Sequence, residues 1–212
     1  MEALDRIDFS NNWLTLVFVF ALLLLVVLKT SNQQKLVGYS KAFFIKGFIT
    51  KKTEERESIL NFFDIILLFF SAIVSAVFFS LIIELFIDTT VNFTFFITAL
   101  GAVFVYLILF LVLDVGLAKL FEIQNETSYL FSTKIAYLYN MSLILFPVLI
   151  IVNYSILSAS VIFWVFIVMF LLSLLLLLVN NKNLILNKLF YFILYLCALE
   201  IAPLLIIYKT MA

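Results

Sequence analysis

The 212-residue chain is 66% hydrophobic and 12% charged, with zero formal net charge and strongly positive mean hydropathy. This composition excludes an ordinary soluble domain and a disordered one, and the charge balance leaves no basic footprint for nucleic acid. The absence of histidine, a single cysteine (Cys197) and only four glycines exclude Ser-His-Asp and Cys-His centres, imidazole zinc sites, bis-His haem, internal disulfides and multi-cysteine clusters. No metal, cofactor or enzymatic activity is expected.

Six apolar runs, each close to the ~20 residues that cross a bilayer core of ~30 Å, predict one all-α polytopic membrane bundle over residues 1–212. The first span, 13–28, follows an acidic tail carrying Glu2, Asp5 and Asp8. With no small-residue cleavage motif after it, it reads as an uncleaved helix.

Residues 29–58 form the only extended connection. Its middle, KLVGYSKAFFIKGFITKK, interleaves Lys35, Lys41, Lys46, Lys51 and Lys52 with Tyr39, Phe43, Phe44 and Phe48. Such a stretch is expected at an anionic membrane surface, with the lysines on lipid headgroups; a docking surface for a partner is the alternative. The TEERES run that follows is expected to begin the second helix, with Thr53 as its N-cap and Arg56 where a capping box wants Glu or Gln.

The second span, 59–83, carries Ser71, Ala72, Ser75 and Ala76, and the third, 93–117, carries Ala99, Gly101 and Ala102. Small residues at such spacing let helices approach closely. Asp64 and Asp114 lie within about two turns of the lysine-rich ends of these spans. They read either as structural partners of snorkelling Lys119 or Lys134, or as acids at the cytoplasmic mouth of a path. Glu84, beside Asp88, sits at the opposite end.

The fourth span, 135–157, has Pro147 midway, where a kink is expected; the fifth runs 160–179. The sixth, 189–208, holds Glu200 about 16 Å deep, three residues before Pro203. A charge there costs ~3 kcal/mol on translocon scales, and no Lys or Arg lies at matching depth. The carboxyl is therefore expected to be neutral or to face a wet cavity. Pro203 frees backbone acceptors beside it, and Asn140, Asn153 or a serine on another helix could also bond it. Two readings stay open: a proton or ion site built from Glu200, Pro203, Asn140 and Pro147, or interhelical hydrogen-bond glue.

Eleven Lys and Arg fall on the side holding residues 29–58 and only Arg6 and Lys209 on the other. The positive-inside rule then puts both termini away from the cytoplasm.

The stretch FYFILYLCALEIAPLLIIYK (190–209) and NETSYLFSTKIAYLYNMSLILFPVLI (125–150) resemble an uncharacterised family of Bacteroidota inner-membrane proteins catalogued as a domain of unknown function. Tyr195, Cys197, Leu199 with Glu200, Pro203 and Lys209 carry its most specific pattern. The resemblance covers nearly the whole chain and implies a bacterial inner membrane and a compact helical bundle, but no activity. The family's first cytoplasmic loop tends to be Arg-rich, whereas this one uses Lys, which puts bidentate recognition there in doubt. The sequence favours a non-enzymatic structural or assembly subunit of an envelope complex, with the bilayer and a membrane-protein partner or a second copy as its contacts. A small transporter or proton-coupled channel using Glu200 is the alternative.

Overall fold

The computed structural model describes residues 12–43, 61–87, 91–120, 124–155 and 160–180. Over these residues the protein is all-helical: α1 (Asn12–Ser31), α2 (Gln33–Ser40), α3 (Phe62–Ile87), α4 (Phe93–Leu120), α5 (Gln124–Tyr154) and α6 (Ser160–Asn180). Five stretches, Trp13–Ser31, Phe62–Phe86, Phe93–Phe110, Ser132–Tyr154 and Ser160–Val179, are long and apolar enough to cross a membrane. They match the first five expected spans, and the protein is a polytopic helical membrane bundle. The expected sixth span, and with it Glu200 and Pro203, lies outside the described residues, as do Lys46, Lys51, Lys52 and the expected Thr53 cap.

Two boundaries differ instructively from the apolar runs. The helix of the fourth span, α5, begins at Gln124, about three turns before the apolar run expected from 135, because hydropathy marks where a bilayer would begin and not where backbone bonding does. More consequential is α2, an eight-residue helix inside the basic connection. One residue separates it from α1: Asn32 adopts extended backbone (φ −156°, ψ 92°), and its side chain accepts the Lys35 N–H, the N-cap bond that a new helix start needs.

Ring contacts fix how the spans run. Phe18, early in α1, meets Phe146 and Tyr154, late in α5, and the Thr15 and Tyr154 hydroxyls lie 2.7 Å apart. Trp13 packs on Phe96 at the start of α4, and Phe78 of α3 stacks on Phe166 of α6 at 4.3 Å. Successive spans are therefore antiparallel, and the end of α1, all of α2, and the starts of α3 and α5 gather at one end of the bundle.

At the centre stands α3, which packs against α1, α4, α5 and α6. Its small residues make this possible: Ser71, Ala72 and Ala76 are fully buried and Phe70 packs edge-on against Phe146, so neighbouring backbones come close to α3 on several sides. The comparable set on α4 does no such thing. Gly101 and Ala102 are exposed, and a Cβ added at Gly101 would meet nothing within 4 Å. Close packing was expected at both sets and is found at one.

Two substitutions separate these cases. Ala76→Leu should destabilise the bundle by about 1–3 kcal/mol through overpacking, whereas Gly101→Ala should be neutral or stabilise by up to about 1 kcal/mol, having room for its methyl and better helix propensity. Reversible unfolding in mixed micelles reads both, and equal losses would contradict the central placement of α3.

Candidate functional site

Few polar side chains are buried in the bundle, and the ones that reach across helices converge where α2 docks. An eight-residue helix is not stable alone, and against lipid the hydrophobic effect adds little to helix association. Something specific must hold α2, and its sequence supplies it. Leu36, Tyr39, Ala42 and Phe43 turn toward the protein, while Gln33, Gln34, Val37 and Lys41 face outward. The Tyr39 ring lies nearly parallel to Phe63 (6.2 Å between centroids, 11°) and edge-on to Tyr139 (5.2 Å, 84°), and Phe43 meets Tyr137 edge-on at 5.2 Å. The aromatics expected at a lipid surface are thus partly spent inside: Tyr39 and Phe43 are buried among protein side chains.

Three polar links accompany the rings. Tyr39 donates its hydroxyl hydrogen to Asp64 Oδ1 at 2.8 Å. Asp64, in the first turn of α3, is 4% exposed; a carboxylate is favoured there by the positive end of the helix dipole, and a hydroxyl donor replaces part of the water it has lost. Tyr139 of α5 donates to the Asp64 carbonyl at 3.2 Å. Asn140, fully buried, gives both hydrogens of its amide to the end of α2, at 2.8 Å to the Tyr39 carbonyl and 2.7 Å to the Ser40 carbonyl.

The last pair explains why α2 can stop where it does. The final carbonyls of a helix have no intrahelical donor. Here Lys41 N–H turns back to Val37 and Gly38, Ala42 N–H to Tyr39, and Asn140 supplies the donors that water would otherwise provide. Asn140 was one of several groups, with Asn153, a serine or a freed backbone carbonyl, that could accept from Glu200; in the structure its amide nitrogen is committed to α2, while its Oδ1 is buried with no partner among the described residues.

Of the other expected site residues, Pro147, Asp114, Lys35 and Lys41 fall on the described helices and their caps. Pro147 sits inside an unbroken α5 with its ring exposed. Seven residues from Asn140 it lies on nearly the same helix face, about 10 Å further along. That face is covered by α2 at Asn140 and exposed among the described residues at Pro147. Lys134 sits with its ammonium 5.9 Å from the centre of the Phe110 ring, within cation–π range. Asp114 lies on α4, its side chain outside the described set. Lys41 is exposed and Lys35 half-buried. Sequence reasoning missed Tyr39 and Tyr139. The run YLYN at 137–140, three polar-tipped residues within one turn of a membrane helix, was the available signal.

Chemically the cluster is suited to joining helices. Ser71, Ser142 and Ser173 bond carbonyls of their own helices, and among the described residues no group of three or more His, Cys, Asp or Glu could hold a metal ion.

The family described as Domain of unknown function (DUF4271) matches residues 14–211. The chain belongs to this family. The match spans the described helices from the third residue of α1 onward and continues through the C-terminal stretch that contains Glu200. No curated protein and no solved structure matches the chain.

Substituting Asn140 by Ala should leave the Ser40 carbonyl without its donor and the Tyr39 carbonyl with the Ala42 N–H alone, and cost about 1–2 kcal/mol, between the mean for membrane hydrogen bonds and the penalty for buried orphans. Amide exchange in residues 33–43 should accelerate while that of α3 stays slow, and unchanged exchange at 33–43 would refute the docking role.

Proposed function

We propose that this family member is a non-enzymatic structural or assembly subunit of a cell-envelope complex in a bacterial, Bacteroidota-type inner membrane, with both termini outside the cytoplasm. One observation carries the reading: the polar side chains buried across helices in the described spans go into fastening helices to one another, Tyr39 to Asp64, Tyr139 to α3, and Asn140 to α2. Groups that act on a substrate need an approach and a free valence; groups that build a scaffold are satisfied by the scaffold. The excess of lysine on the 29–58 side supports the orientation, and the resemblance of the C-terminal stretch supports the source membrane.

A proton-coupled transporter is the second reading. It is favoured by the expected midplane carboxylate Glu200 together with the buried Asn140 Oδ1, which has no partner among the described residues, since a buried acceptor calls for a donor.

Purification of a tagged chain, expressed at native level and extracted in mild detergent, discriminates. The subunit reading expects a stoichiometric membrane-protein partner to copurify and Glu200→Gln to leave that association intact. A lone monomer would overturn it. Intact association with loss of pH-gradient-driven flux in Glu200→Gln proteoliposomes would establish the transporter instead.

A further inference from the structure

At the end of the bundle away from α2, two polar side chains of α3 lack the partners that Asp64 and Tyr39 find at the other. Glu84 lies in the last turn of α3 and is half-buried. Among the described residues it makes no hydrogen bond or ion pair. The end of a helix carries the negative pole of the backbone dipole and favours a cation, yet α3 has a carboxylate there and no basic residue in its last turn. The lysines on the described helices and their caps, Lys29, Lys35, Lys41, Lys119 and Lys134, all belong to the opposite end. One turn deeper, Ser80 is fully buried and its hydroxyl has no partner among the described residues, whereas Ser71, Ser142 and Ser173 give theirs to carbonyls of their own helices. Residues four apart share a helix face and helical side chains lean toward the N-terminus, so the Glu84 carboxylate is directed back over Ser80.

We infer that the face of α3 carrying Ser80 and Glu84 binds the primary ammonium of an ethanolamine phospholipid headgroup, with Glu84 as its counter-ion and the Ser80 oxygen as a second acceptor. The level is that of headgroups: Trp13, Tyr154 and Trp164 fall within about one turn of the same ends of α1, α5 and α6, where interfacial aromatics gather, and Tyr154 and Trp164 are exposed. A primary ammonium brings one positive charge to the unpaired carboxylate and three N–H donors to acceptors that lack them. A choline headgroup brings the same charge and no donor. The inference goes beyond the subunit reading and is independent of it, since the site serves a subunit or a transporter alike and does not depend on which leaflet this end faces.

The test is lipid retention. The full chain is passed through size exclusion in neutral-detergent micelles holding equimolar phosphatidylethanolamine and phosphatidylcholine of one acyl composition, and the lipid that elutes with it is quantified. The wild type should retain the ethanolamine lipid over the choline lipid by roughly fivefold, the factor equivalent to one net hydrogen bond of ~1 kcal/mol. N-monomethyl and N,N-dimethyl headgroups, equally charged, should fall between them in the order of their N–H groups. Glu84→Gln, which keeps the shape of the side chain, should bring the ratio to parity and Ser80→Ala should lower it about twofold, while Lys41→Gln at the far end should leave it unchanged. Equal retention of the two lipids by the wild type, or a preference undiminished in Glu84→Gln, overturns the inference. A wild-type preference indifferent to the number of N–H groups overturns the ammonium assignment without any variant having to fold, and one undiminished in Ser80→Ala overturns the role of Ser80.

Discussion

Inside a bilayer, a helix end without donors is costly, because the water that usually satisfies its last carbonyls is missing. The Asn140 amide meets that constraint for α2, and much of the bundle's arrangement at this end follows from it. Because Asn140 reaches the Tyr39 and Ser40 carbonyls from α5, α2 must fold back against the spans instead of trailing along the surface. Folding back brings the Tyr39 hydroxyl to Asp64 on α3, and Tyr139, the neighbour of Asn140, closes the ring of contacts at the Asp64 carbonyl. Three elements distant in sequence are thereby tied at one level.

Elsewhere the bundle depends on shape more than on polarity. The buried Ser71, Ala72 and Ala76 allow α3 to be the common neighbour of four helices, and aromatic pairs such as Phe78 with Phe166 and Phe70 with Phe146 fill the spaces between backbones. The outer faces of α1, α4 and α6 carry exposed residues such as Leu16, Val105 and Trp164. In a soluble protein these would demand a partner; in a membrane they meet acyl chains of the same polarity.

The spans were legible in the sequence because apolar length is dictated by bilayer thickness, and five of them coincide with observed helices, although the helix of the fourth begins eleven residues earlier than its apolar run. The small residues of α3 were legible as packing positions, but their counterpart at Gly101 was not distinguishable from them, since a permissive residue does not reveal whether a neighbour takes advantage of it. The site was read only in part. Asp64 and Asn140 stood out as polar groups in apolar runs, yet their partners could not be read. Tyr39 lay in a connection whose aromatics looked lipid-directed, and the one-residue break at Asn32 has no periodicity to betray it. Tertiary contacts decide that α2 is a helix at all.

That α2 folds back and is held against the spans by buried hydrogen bonds is the claim on which the rest leans, and a double-mutant cycle of Tyr39→Phe with Asp64→Leu, a contact that exists only if α2 folds back, read as unfolding free energy in lipid–detergent micelles, tests it most directly. The account predicts a coupling of about 1 kcal/mol, the central value for an intramolecular hydrogen bond, between residues in contact. Effects that simply add, within about 0.5 kcal/mol, would contradict it.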